Sequence, residues 1–224
     1  MITPRLECIL KHISKKTVAD IGTDHAYIPI RLIQDGICDK VIASDIKSGP
    51  VNAAKRHIEK YGLSDKIEVR LGSGLSPLGD NEAEEIIIAG MGGEMIIKIL
   101  SEDEKKAKNS RLILQPMNSQ YELRKFLHEN GYKIELEDLA TEGHKVYNII
   151  IAKKGYDEPF ADDFCYHIPS YLLSHPLIDK LLDKKIREFN KIIAGNQKAT
   201  VKDENLISYY EKLLKKFEEL KEIN

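Results

Sequence analysis

Two rhythms of apolar and polar positions take turns along the first two thirds of the chain. Thr17–Ile21 (TVADI), Lys40–Asp45 (KVIASD), 66–71 (KIEVRL), 85–89 (EIIIA) and 111–114 (RLIL) are short, largely apolar runs, the pattern of strands buried on both faces. Between them apolar residues return at helical spacing. Leu6, Ile9, Leu10 and Ile13 precede the first run, with Thr3 and Pro4 as start signals. Further helices are predicted over 28–34 (ending near Gly36), 48–61 (stopped by Gly62), around Met95, Ile96, Ile99 and Leu100, and over 120–130 (closed by Gly131). Strands alternating with helices predict an α/β fold with a doubly wound, mainly parallel sheet. The runs 132–139 and 145–152, separated only by a turn at Gly143, predict a closing antiparallel hairpin.

Beyond residue 154 the rhythm changes. Residues 155–169 read as a linker, with two prolines and an Asp pair. Ile178, Leu182, Ile186, Phe189 and Ile193 then form one apolar stripe, and Leu206, Tyr210, Leu213, Phe217 and Leu220 a second, with Gly195 and Asn196 between them. This predicts an antiparallel, coiled-coil-like helical hairpin. The chain therefore divides into 1–154 and 155–224.

Composition narrows the function classes. With 224 residues and a net charge of −2, the chain has no global attraction to nucleic acid, so an RNA partner requires a local basic patch. Cys8, Cys38 and Cys165 are an odd, scattered set, as expected of reduced thiols in a cytoplasm rather than of a disulfide framework. The N-terminus lacks the apolar core of a signal peptide, and no run is long enough to span a membrane, so a cytoplasmic location is expected. The histidines outside His25 show no ligand spacing with cysteines or carboxylates, and no metal is expected. A dinucleotide G-x-G-x-x-G, a Walker A loop and a hydrolase elbow are all absent.

The candidate chemistry sits at strand ends, where open parallel sheets bind ligands. The first strand runs into Gly22, Thr23, Asp24 and His25; the second ends on Asp45; the third reaches Gly72, Ser73 and Gly74; the fourth runs into GMGG at Gly90–Gly93. Glycines let backbone approach a ligand, and an Asp after the second strand is placed to take both ribose hydroxyls of a nucleoside. Each glycine could equally serve a tight turn, Asp24 could cap the following helix, and Tyr27 could be core.

The ordered set DIGTDHAYIP at 20–29, SDIKSGP at 44–50, RLGSGL at 70–75, IAGMGG at 88–93 and RLILQP at 111–116 closely resembles the bacterial tRNA (adenine-22-N1)-methyltransferase family. The resemblance covers about the first 150 residues, with a compatible helical C-terminus. It implies a Rossmann-like class I methyltransferase sheet, S-adenosylmethionine as cofactor, and methyl transfer to N1 of adenine 22 in tRNA. Asp20, Gly22, Thr23, Asp45, Ile46, Gly72, Ser73, Gly90 and Met91 are then the cofactor side. Asp24, His25 and Tyr27 are the acceptor side: Asp24 to stabilise the cationic product base, His25 as an orienting donor, Tyr27 as a stacking surface. The Asx-Pro-Pro-aromatic motif of N6-amino methyltransferases is absent at Gly90 and Met91. Arg5 is expected near the substrate. Lys184, Lys185, Arg187 and Lys191 are either a solvated helical face or a grip on the tRNA backbone. A monomer is expected. The competing readings are a methyltransferase acting on a small molecule or protein, which a discontinuous basic surface would favour, and a non-catalytic S-adenosylmethionine-binding adaptor.

Overall fold

The computed structural model describes residues 2–223. Helix α1 (Pro4–Lys11) leads into β1 (Thr17–Ile21), followed by α2 (Tyr27–Gln34), β2 (Lys40–Asp45), α3 (Ser48–Lys60) and β3 (Ile67–Leu71). Then come β4 (Glu85–Met91), α4 (Gly93–Glu102), α5 (Glu104–Asn109), β5 (Arg111–Pro116) and α6 (Gln120–Glu129). The hairpin β6 (Tyr132–Glu142) and β7 (Lys145–Lys154) is followed by α7 (Phe164–His167), a 3₁₀ turn, α8 (Ile178–Gln197) and α9 (Glu204–Ile223). The seven strands form one sheet in the order β3-β2-β1-β4-β5-β7-β6. Strands β1 to β5 pair in parallel, and β7 runs antiparallel to both its neighbours.

Period-two alternation sorts the apolar strand residues onto two faces. Val18, Val41, Ile87, Ile113 and Ile151 pack with α1, α2 and α3. Ala19, Ile42, Ile86, Ile88, Leu112, Leu114 and Ile150 pack with α4, α5 and α6. Ile86, Ile87 and Ile88 are all fully buried, each contributing roughly 1.5–3 kcal/mol over an exposed position. The amino ends of the strands are pinned by Glu85. Its buried carboxylate accepts the Ser14 and Lys15 N–H groups, the Ser14 hydroxyl and the Arg111 guanidinium at 2.6–3.2 Å. That leaves the carboxyl ends free to diverge into loops. The chain leaves β1 toward β3 on one side and returns to β4 on the other, so a crevice opens between β1 and β4.

One expectation is corrected at the C-terminus. The stretch read as a linker, 155–169, contains α7, and its Tyr166, His167 and Ile168 are buried; the turn Ser170–Leu172 that follows buries Leu172. What holds it is a buried ion pair: Arg124 donates to both oxygens of Glu137 at 2.7 and 2.8 Å and to the Tyr166 carbonyl at 2.8 Å, while the Tyr171 hydroxyl donates to Glu137. The expected helical hairpin is present and also packs on the sheet. Its core includes Leu139 and Val146 of the β6–β7 hairpin, and α8 buries Leu181 and Lys185 beside the expected stripe because it packs on two sides. Helix α5 was not legible, as its six residues bury only Ala107.

Candidate active site

Two cavities meet at Gly22, where β1 ends at the crevice. The first, about 420 Å³, lies over the β1 and β4 ends and is lined by Arg5, Asp20, Gly22, Thr23, Asp24, His25, Tyr27 and Gly90. The second, about 270 Å³, is lined by Gly22, Asp45, Ile46, Gly72, Ser73, Met91, Met95 and Ile99. The structure thus brings together every residue expected on the cofactor and acceptor sides.

Backbone hydrogen bonds link the glycine-bearing strand ends to one another. Gly22 and Thr23 both donate to the Ser44 carbonyl at 2.7 and 2.9 Å, Gly72 donates to the Asp45 carbonyl, and Gly90 donates to Gln115 Oε1. These bonds tie the β1, β2, β3 and β4 ends to their neighbours. Gly22 has a φ of +80°, and a Cβ there would meet the Met91 methyl at 2.1 Å. Gly93 serves packing: a Cβ there would meet the Ser119 carbonyl oxygen at 2.5 Å, which lets α4 start flush against the β5–α6 turn.

The donor set fits an S-adenosylmethionine-like molecule. Asp45 Oδ1 accepts the Lys47 N–H at 2.7 Å, which orients the carboxylate and leaves its second oxygen for a ribose hydroxyl. Ile46, Met95 and Ile99 give the same cavity apolar walls suited to an adenine ring. In the other cavity burial pushes the Asp20 carboxyl up to about 6; the nearby Thr23 hydroxyl opposes the shift and the Asp45 charge adds to it. A buried carboxylate held this way is stabilised by a ligand cation. The Met91 thioether covers Gly22 where the cavities meet, so a molecule spanning both must turn it aside, which an unbranched Met does at low cost.

On the acceptor side, Asp24 is 75% exposed and lies 3.6 Å from His25 Nε2. It is not the helix cap. The N-cap of α2 is Ala26, in left-handed conformation at φ +54°, with no side-chain cap bond. The turn thereby points Asp24 and His25 into the cleft. Tyr27 is 37% exposed, not core, and its ring sits 5.5 Å from the His25 ring. Arg5 forms the opposite wall. It donates to Gln115 Oε1 at 2.6 Å, lies 3.7 Å from Glu142 and stacks 5.5 Å from the Tyr147 ring.

Tyr147 leads to a further groove of about 430 Å³ between the β6–β7 turn and α8, lined by His144, Lys145, Lys184, Arg187, Glu188 and Lys191 among others. Arg187, Lys191 and Lys145 are exposed there. Lys184 is partly covered and donates to the Val146 carbonyl at 3.3 Å. Lys185 does not belong to this surface. It is 6% exposed, facing Gln120 and Glu188, and burial lowers its pKa. Helical spacing alone did not separate it from its neighbours. His144 and Lys145 were missed because they stand on a turn far from α8 in sequence.

A second cluster joins residues that sequence spacing could not relate. Cys8, His12 and Asp138 bring one ligand atom each within 4.8 Å of one another, the geometry a metal ion could use. As it stands the cluster is a tether. The Asp138 carboxylate accepts from Cys8 Sγ at 3.2 Å, His12 at 2.8 Å, His175 at 2.9 Å and its neighbour Leu139 N–H at 2.8 Å. Burial opposes its ionisation, but those donors outweigh it and hold Asp138 down at about 2, while burial and the Asp138 charge push Cys8 up to about 12. Helix α1, which carries Arg5, is thereby fastened to β6 and to the segment before α8.

Comparison with known proteins agrees with this geometry. A family model described as a methyltransferase domain matches residues 2–150. The tRNA (adenine(22)-N(1))-methyltransferase of Bacillus subtilis is 38% identical over 156 residues, 69% of this chain and, at 66%, just under two thirds of the relative's length. The crystal structure of the Bacillus subtilis m1A22 tRNA methyltransferase TrmK is 28% identical with a TM-score of 0.86, covering 99% of both chains. Streptococcus pneumoniae Sp1610, solved in complex with S-adenosyl-L-methionine, is 30% identical with a TM-score of 0.86 over 99% of this chain and 100% of that one. With its strand-end motifs, its sheet order and both halves of its length matched, the chain belongs to the tRNA (adenine-22-N1)-methyltransferase family.

Proposed function

We propose that the protein transfers a methyl group from S-adenosylmethionine to N1 of an adenine in tRNA, at position 22. The observation that carries this reading is the pairing of two cavities at Gly22: one has a carboxylate and apolar walls for a nucleoside, the other an open mouth for a base. When bound, S-adenosylmethionine supplies an electrophilic methyl group. Asp45 would hold its ribose, Ile46 and Ile99 would flank its adenine ring, and Asp20 would face its cationic end. Arg5, held by Gln115 and Glu142, gives the acceptor cleft a rigid wall.

Adenine N1 is a neutral in-plane nucleophile, so alignment and exclusion of water supply most of what the reaction requires. N1 lies on the pairing edge, and the base must leave its pair to enter the cleft. Tyr27 offers its exposed face to the base. Asp24 meets the positive charge that develops on the ring, and His25 keeps the carboxylate oriented. The tRNA body follows the path from Arg5 over Tyr147 into the groove of Lys145, Arg187 and Lys191, with residues 155–224 acting as the RNA-holding unit. The enzyme works as a cytoplasmic monomer. The test is incubation with labelled methyl donor and total tRNA lacking this modification. Label in nuclease-sensitive material is expected; label only in protein or small molecules, or none, overturns the reading.

A further inference from the structure

An aromatic row leaves the acceptor cleft along α3. The His57 ring stands edge-on to Tyr27 at 5.3 Å and to Tyr61 at 5.1 Å. His57 Nδ1 donates to the His25 carbonyl at 2.7 Å, so that nitrogen carries the hydrogen and the ring is fixed to the turn that presents Asp24. Tyr61, at the end of α3, is 47% exposed, and it belongs to none of the three core clusters. Two large aromatic faces and a histidine are thus held in line on the surface, where burial gains nothing from them.

The geometry points to His57 and Tyr61 as a second nucleobase site, which stacks an unpaired base of the RNA next to the adenine held at Tyr27. Exposed aromatics in a row are what single-stranded RNA uses, because every base has a face to stack. The charge around the row suits the same occupant. Arg56 and Lys60 are exposed on the adjacent stripe of α3, and among the described residues neither forms an ion pair. The row is also continuous with the cleft through His25 and Tyr27, so a base stacked on it lies within one or two nucleotides of the target. Its role follows from the extrusion step: a base taken out of its pair is held longer if its neighbour is stacked too. His57 is a positioning residue, since it also fixes the Tyr27 ring and the His25 turn.

This inference rests on the tRNA reading, and the test separates the two. Steady-state KM and kcat for unmodified tRNA are measured for the wild type, Tyr61→Ala and Tyr61→Phe, with S-adenosylmethionine affinity measured alongside. Tyr61→Ala is expected to raise KM for tRNA at least about fivefold with kcat and cofactor affinity unchanged, and Tyr61→Phe to match the wild type. Removing the base of a nucleotide flanking the target is expected to raise KM for the wild type and to add nothing in Tyr61→Ala. A wild type that methylates tRNA while Tyr61→Ala keeps its KM overturns the second site alone. Additive losses from the variant and the abasic substrate also overturn it. A wild type that leaves tRNA unmethylated overturns the tRNA reading and this one with it.

Discussion

Asp20 near the end of β1 and Asp24 in the loop that follows it are two carboxylates with opposite surroundings. Asp24 is exposed at the cleft mouth and caps nothing. Its replacement by alanine should leave the fold intact, as circular dichroism would show, and lower kcat for tRNA about a hundredfold or more; near-wild-type turnover would remove it from the mechanism. Asp20 is buried, and burial raises its carboxyl to about 6. A raised value means the free protein takes up a proton below that pH, and a ligand cation must expel it. Cofactor affinity should therefore be flat above about pH 6 and fall by up to about tenfold per unit below it. Calorimetry across pH 5–8 checks this, with Asp20→Asn giving a flat profile. The identities of these residues were legible in the sequence. The burial that separates their roles was not, since it comes from β1 lying between β2 and β4 in the middle of the sheet.

The strands, their order of appearance and every helix between them except α5 followed from apolar rhythm and its Gly and Pro punctuation, because a sheet covered on both faces leaves little choice at each position. What the rhythm did not carry was contact between distant elements. The Arg124–Glu137 pair joins α6 to β6 and, through the Tyr166 carbonyl, to the stretch read as a linker, with the Tyr171 hydroxyl binding it just beyond that stretch. Prolines and aspartates there suggested loose chain, while its anchors lay in other elements. Glu137→Gln leaves a buried guanidinium without its counter-charge and should destabilise the protein by about 3–5 kcal/mol in denaturant unfolding. It should also expose residues 155–177 to limited proteolysis. A loss below about 1 kcal/mol would mean that the C-terminal helices hold themselves. The Cys8–His12–Asp138 cluster is a second such tie, hidden because His12 and Asp138 show no motif spacing.

At the scale of the molecule, a chain of net charge −2 still lines one groove beside α8 with Lys145, Lys184, Arg187 and Lys191. Substituting Lys145, Arg187 and Lys191 by Glu should weaken tRNA binding and leave cofactor affinity unchanged. The log–log salt slope should fall by about one for each phosphate that is no longer neutralised. An unchanged salt slope would place the RNA elsewhere. Lys185 is outside this set, since its ammonium is committed inside the fold. In the reading proposed above, cleft, aromatic row and groove serve one extruded base, and the chemistry is fixed by where the methyl group lands on it. The most direct measurement is nucleoside analysis and primer-extension mapping of tRNA methylated by the purified protein. N1-methyladenosine, with extension arrested beside position 22, is the predicted result. N6-methyladenosine, or a methyl group at another nucleotide, would contradict it.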